Sequence, residues 1–91
     1  MASYDSAAAR EIARTMQRAD DILEKSVGEY RAVFLQTEEL SGAAAEAMEE
    51  QLRRMIRMAR SLEAEISDMG RAMHRYADTL EALDEQLARE I

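Results

Sequence analysis

Apolar residues recur along most of the chain at alternating spacings of four and three, the period of a helix that buries one stripe. In the first half the series runs Ala9, Ile12, Met16, Ala19, Leu23, Ser26, Tyr30, Val33, Thr37 and Leu40, with Ser26 and Thr37 as its polar members. Ile22, Val27 and Phe34 lie beside it and widen the stripe. In the second half the rhythm runs longer: Ala45, Met48, Leu52, Met55, Ala59, Leu62, Ile66, Met69, Met73, Tyr76, Leu80, Leu83 and Leu87, flanked by Ile56, Ala72, Ala77 and Ala88. A stripe wider than two positions per heptad suits a bundle helix better than a two-stranded coiled coil. The halves share a period and are not sequence repeats.

Between them stands Leu40-Ser41-Gly42, the one break in helical text that contains no proline and only two other glycines, Gly28 and Gly70. Ser41 is expected to cap the second helix through the amides near Ala43 and Ala44, with Gly42 supplying the reversal and Leu40 packing on Ala44 or Ala45 as a staple. Met1 to Asp5 reads as a lead-in, with Ser3 or Asp5 as N-cap. The pattern therefore predicts an all-α fold: one antiparallel two-helix hairpin spanning 1–91. Its expected elements are a helix over about 7–39, a turn at 40–42 and a helix over about 43–91.

The predicted arms are unequal, roughly 50 Å and 73 Å at 1.5 Å per residue. Folding about Ser41 sets residue i opposite one near roughly 82 − i, so the first arm is expected to run out near Arg75–Asp78. A C-terminal overhang of about 78–91 then carries Leu80, Leu83, Leu87 and Ile91 with no intrachain cover. A lone hairpin also gives each wide stripe a single neighbour, and so small a core is marginal. Pairing of two hairpins into a four-helix bundle is the expected remedy. Ile12, Met16, Leu23, Tyr30, Val33 and Phe34 are the expected hairpin and dimer core on the first helix. Leu52, Met55, Leu62, Ile66, Met69 and Met73 are their counterparts on the second.

Composition agrees with the helical pattern and narrows the function. Of 91 residues, 47% are hydrophobic, 34% are charged and only 4% are aromatic, which leaves little from which to build strands. The net charge of −7 argues against a phosphate backbone or an anionic membrane surface as the main partner. No apolar run approaches a membrane span, and the first residues lack the basic and apolar regions of a conventional signal peptide. Without cysteine there are no disulfides or thiolate metal sites.

Candidate chemistry is sparse. The single histidine, His74, lies among Arg71, Arg75 and Asp78, which reads as a solvated helix surface. No Glu-x-x-His pattern exists to support a di-iron bundle site. Arg53, Arg54, Arg57 and Arg60 form a local basic patch and Arg10, Arg14 and Arg18 a second stripe, but nucleic-acid binding would want net positive charge and interleaved aromatics. Glu49/Arg53, Glu50/Arg54, Asp21/Lys25 and Glu85/Arg89 are i,i+4 pairs worth a few tenths of a kcal/mol each. The seven methionines, four of them on the second seam and Met58 beside it, read as bundle core, with an adaptable binding surface as the alternative. No cofactor, metal or catalytic residue is expected.

A hairpin of about this length with a small turn tripeptide at its middle resembles the WXG family of type VII secretion proteins, the early-secreted-antigen-like helical hairpins. Their hallmark is Trp-X-Gly at the turn; here Leu40-Ser41-Gly42 stands in its place, followed by Ala43-Ala44-Ala45-Glu46-Ala47-Met48, similar to the alanine-rich start of the family's second helix. The resemblance covers essentially the whole chain. The family's export signal lies at the end of the second helix: a hydrophobic residue, an acid four later, and hydrophobic residues seven and eleven after the first. Leu80, Asp84, Leu87 and Ile91 match those four places, whereas the form that begins with tyrosine fails at Tyr76 because Leu80 stands where its acid should be.

The resemblance implies a noncatalytic protein of Gram-positive bacteria, secreted as a folded dimer without a conventional signal peptide and cytoplasmic before export. It implies a homodimer, or a heterodimer with a related hairpin, whose C-terminal helix is read by the membrane-bound motor ATPase in the setting of virulence or interbacterial competition. A targeting partner for the helical N-terminal domain of a larger Leu-X-Gly toxin, and an intracellular coiled-coil adaptor, are the alternatives.

Overall fold

The computed structural model describes the backbone of residues 2–90 and the side chains of residues 5–90. Two helices make up the described chain, α1 (Ala2–Thr37) and α2 (Ala43–Glu90), arranged as an all-α helical hairpin. No strand occurs among the described residues.

α1 begins several residues before the expected start, so Ser3 and Asp5 lie inside it and are not its N-cap. Asp5 occupies the first turn, where a carboxylate opposes the positive end of the helix dipole. α1 also ends two residues early. Glu38, Glu39 and Leu40 donate their amides to the carbonyls of Leu35, Gln36 and Thr37 at 3.3, 3.3 and 3.0 Å, a three-residue step that tightens and closes the helix. The Thr37 hydroxyl donates to the Phe34 carbonyl at 2.6 Å, which occupies one of the acceptors left at that end.

Gly42 has φ of 98°, a left-handed conformation that side chains disfavour. Its carbonyl accepts from the Glu46 amide at 3.2 Å, the first bond of α2. Gly42, and not the expected Ser41, therefore occupies the N-cap position, with Ser41 one residue outside it. Leu40 remains 59% exposed instead of closing over the cap as a staple.

The chain divides into two compact units, each built from both helices. Unit 1 comprises Met1–Ala19 and Ile66–Ile91; unit 2 is Asp20–Glu65 and contains the turn. In unit 1 the inner line is Ser6, Ala9, Ala13 and Met16 on α1, with Ile66, Gly70, Met73, Ala77, Leu80 and Asp84 on α2, all buried or half-buried. Half of these residues are small, three of the four on α1, and Met16 Cβ stands 3.9 Å from where a Cβ on Gly70 would be. In unit 2 the inner line is Asp20, Leu23, Val27, Tyr30, Phe34 and Thr37 facing Ala45, Glu49, Leu52, Ile56, Ala59 and Glu63. Val27 is fully buried.

Both inner lines keep a spacing of three and four but sit one position to the side of the predicted seams. Each takes one of its two heptad positions from the predicted series (Ala9, Met16, Leu23, Tyr30; Ala45, Leu52, Ala59, Ile66) and the other from residues read as flanking or polar. Ile12, Val33, Leu62 and Met69, expected in the core, are 46%, 41%, 45% and 54% exposed in the hairpin. Met16, Leu23, Tyr30, Phe34, Met55, Ile66 and Met73 are half-buried, and Leu52 is buried. A single neighbouring helix covers one side of a wide stripe and leaves the other side wet.

The expected overhang is shorter. α1 starts earlier, and each of its residues meets α2 a few positions further along than predicted, so Arg10 reaches both Asp78 and Glu81. Leu80 and Asp84 are half-buried as a result, and continuous exposure begins only at Glu85.

Candidate interaction surface

Within each unit the two edges of the seam differ in character. On one edge of unit 1, Arg10 bridges the helices. Its Nη2 donates to Asp78 Oδ1 and Glu81 Oε2, each at 2.8 Å, and its Nε donates to Glu81 Oε1 at 3.1 Å. His74 Nδ1 stands 3.4 Å from Arg10 Nη1. Hydrogen bonding to Glu81, and then to Asp78, raises the Arg10 pKa, and the guanidinium in turn lowers the Glu81 carboxyl below its usual range. His74 is thus a neighbour in a surface ion-pair cluster.

Unit 2 has a similar bridge with the charges exchanged. Arg60 on α2 pairs with Glu24 across the helices and with Glu63 at 3.2 Å on its own helix. The Glu24 carboxyl is lowered, chiefly by its hydrogen bond to Arg60. Arg53 lies 5.1 Å from the centroid of the Phe34 ring, a cation–π distance.

Carboxylates offset part of the charge of the two arginine clusters. Arg14 and Arg18 both contact Glu11, at 2.8 and 3.6 Å, while Arg53, Arg54 and Arg57 gather around Glu50 at 3.7, 3.5 and 3.7 Å. A guanidinium held by a carboxylate has less to offer a phosphate.

The opposite edge of each unit is apolar. On α2 the residues Met48, Met55, Leu62, Met69, Tyr76 and Leu83 recur every seven positions along the helix. All but Met55 are about half exposed, from 45% to 54%. On α1 the matching edge carries Ile12 in unit 1 and Ile22 and Val33 in unit 2, at 46%, 66% and 41% exposure. In unit 2 this edge opens into a groove of about 520 Å³ lined by Leu23 and Tyr30 from α1 and by Met55, Met58, Ala59, Ser61, Leu62 and Glu65 from α2. Met58 at its lip is 71% exposed.

The outer limit of this edge was not legible as a site in the apolar pattern. It consists of Ala8, Thr15, Ile22, Glu29 and Gln36 on α1 and Ala44, Gln51, Met58, Glu65, Ala72, Thr79 and Gln86 on α2, where only Glu29 and Glu65 carry charge. In a chain that is 34% charged, that scarcity is the signal a sequence reading could have used.

Of the four residues matched to an export signal, Leu80 and Asp84 are half-buried and Leu87 is 58% exposed; Ile91 lies outside the described residues. Leu83, 49% exposed, sits between them on the apolar edge. Among the described residues no group of three His, Asp or Glu side chains is placed to hold a metal ion, and no helix is long and apolar enough to cross a membrane. What the fold and its surface define is a helical hairpin in which each of the two units has an ion-paired edge and an apolar edge. No family model, no curated protein and no solved structure matches the chain.

Proposed function

We propose that this protein is a noncatalytic helical hairpin of the type VII secretion class that acts by pairing. Its apolar edge packs against a second hairpin, its own copy or a related chain, to complete a four-helix bundle. The observation that carries this reading is the half-covered stripe of Met48, Leu62, Met69, Tyr76 and Leu83. The α2 seam predicted from the sequence points between the direction of α1 and this apolar edge. That diagonal is where a helix of a four-helix bundle directs its core positions. The bundle leaves the cell as a folded unit, and the end of α2 docks on the secretion motor as a helix in a groove, with Leu87 filling an apolar pocket.

Leu87→Arg tests the export step with little risk to the fold, because the side chain is already 58% exposed. Expressed in a type VII–competent host, the variant is expected to stay in the cell at wild-type abundance and with an unchanged helical circular dichroism spectrum. Secretion at the wild-type level would sink the assignment. A second reading, a targeting partner for the N-terminal helical domain of a larger toxin, is favoured by the charge on the apolar edge, where Glu29 and Glu65 have no cation beside them at the same heptad positions.

A further inference from the structure

The apolar edge of unit 2 exposes Ile22, Val33, Met58 and Leu62, and the last two line a groove of about 520 Å³. Two charged residues stand on it: Glu65, which lines the groove, and Glu29, one heptad beyond Ile22 on α1. Both are exposed in the hairpin. The total accessible surface of 6794 Å² exceeds the roughly 5,400 Å² expected of a folded monomer of 10.3 kDa. The difference, about 1,400 Å², is more than the roughly 800 Å² that each partner contributes to an ordinary interface.

A second copy would present the same edge in return, since a two-fold contact is self-complementary. Two Glu29 and two Glu65 carboxylates would then enter one apolar interface whose own heptad positions hold no lysine or arginine, Lys25 lying one turn before Glu29, between chains that each carry −7. Like charges brought together in this way oppose association and select against that partner.

We propose that the occupant of the unit 2 groove is a helix of a different protein, apolar along the contacting face and bearing lysine or arginine opposite Glu65 and Glu29. Ile22, Met58 and Leu62 supply the buried contact, and the two carboxylates fix register and partner choice, as charged residues beside a coiled-coil seam do. This inference rests on the pairing reading above and narrows it to a heteromer.

The probe is the chain itself carrying Glu29→Lys and Glu65→Lys, with circular dichroism confirming that it remains helical. Sedimentation equilibrium is expected to show the wild type and this variant associating about tenfold more tightly than wild type with itself, an advantage that shrinks in high salt. The neutral pair Glu29→Gln and Glu65→Gln is expected to self-associate more tightly than wild type. If the wild type alone dimerises as tightly as the mixture, or neutralisation leaves its self-association unchanged, the occupant is a second copy; the heteromer inference falls while the pairing reading stands. If neither mixture nor single chain associates although all remain helical, the two carboxylates do not choose the partner, the inference falls, and pairing with a copy of the chain falls with it.

Discussion

Units 1 and 2 are built from the same two helices with the same heptad rhythm, yet they close differently. Unit 1 sets Ser6, Ala9, Ala13, Gly70 and Ala77 among Met16, Ile66, Met73 and Leu80, and its polar edge is drawn together by one arginine with two carboxylates across the seam. Unit 2 is lined by Leu23, Val27, Tyr30, Phe34, Leu52 and Ile56, and it opens into a groove on its apolar edge. Small side chains let helices approach and leave little unfilled, whereas large ones hold the surfaces apart and leave concavities between them. The difference teaches that apolar period sets which residues face a neighbour, while side-chain size sets how closely the two helices can approach.

The largest expected effect comes from exchanging those two modes. Ala77 is 0% exposed, and Ala77→Leu forces extra methylenes into the small-residue seam, at a cost of about 1–3 kcal/mol. Val27, equally buried in unit 2, should respond in the opposite way. Val27→Ala is expected to cost about 1–2 kcal/mol through lost contact, and Val27→Leu to be tolerated because its surroundings can repack. Urea midpoints followed at the helical circular dichroism band would read all three. Wild-type stability for Ala77→Leu would show that unit 1 is not closed in the manner described.

A smaller effect separates two glycines of unit 2. Gly42 holds φ of 98° at the cap of α2, so Gly42→Ala is strained even though open space surrounds the new methyl; about 1–2 kcal/mol should be lost. Gly28 lies within α1 with nothing within 4 Å of an added Cβ, and Gly28→Ala is expected to stabilise by about 0.5–1 kcal/mol. Thermal melts of the pair should shift in opposite directions, and equal shifts would remove the special role given to the turn.

The helices, their order and the place of the turn were legible in the sequence because heptad spacing and the lack of proline leave few other folds. The inner seam was only half legible. Asp20, Glu49, Glu63 and Asp84 occupy its heptad positions, and a reading that follows apolar residues passes over carboxylates. Val27, Phe34, Ile56 and Ala77 were visible as flanking residues, but only the fold shows that they face the other helix. Periodicity records every contact a helix is built to make without saying which neighbour makes it. The predicted overhang shrank for a related reason. Capping preferences favoured a start after Ser3 or Asp5, whereas the helix runs from Ala2 and carries cover as far as Asp84.

The smallest effect concerns the ion-paired edge, and it again sets one unit against the other. Glu81 in unit 1 is lowered by Arg10, and Glu24 in unit 2 by Arg60, each from an ordinary value of 4.5. A carboxyl whose folded pKa lies below its unfolded one contributes stability that is fully present above the unfolded value and is lost as pH falls through the folded value. The paired contribution should therefore hold from neutral pH to about 5 and fade below about 4.5. These side chains are substantially exposed, so solvent screening keeps the effect modest. Arg10 meets two carboxylates across the seam and Arg60 meets one, so Arg10→Met should flatten the acid limb of the melting-temperature profile more than Glu24→Gln does. An Arg10→Met profile parallel to wild type between pH about 3 and 6 would show that the bridge adds nothing to unit 1, leaving its small-residue seam alone to hold it closed.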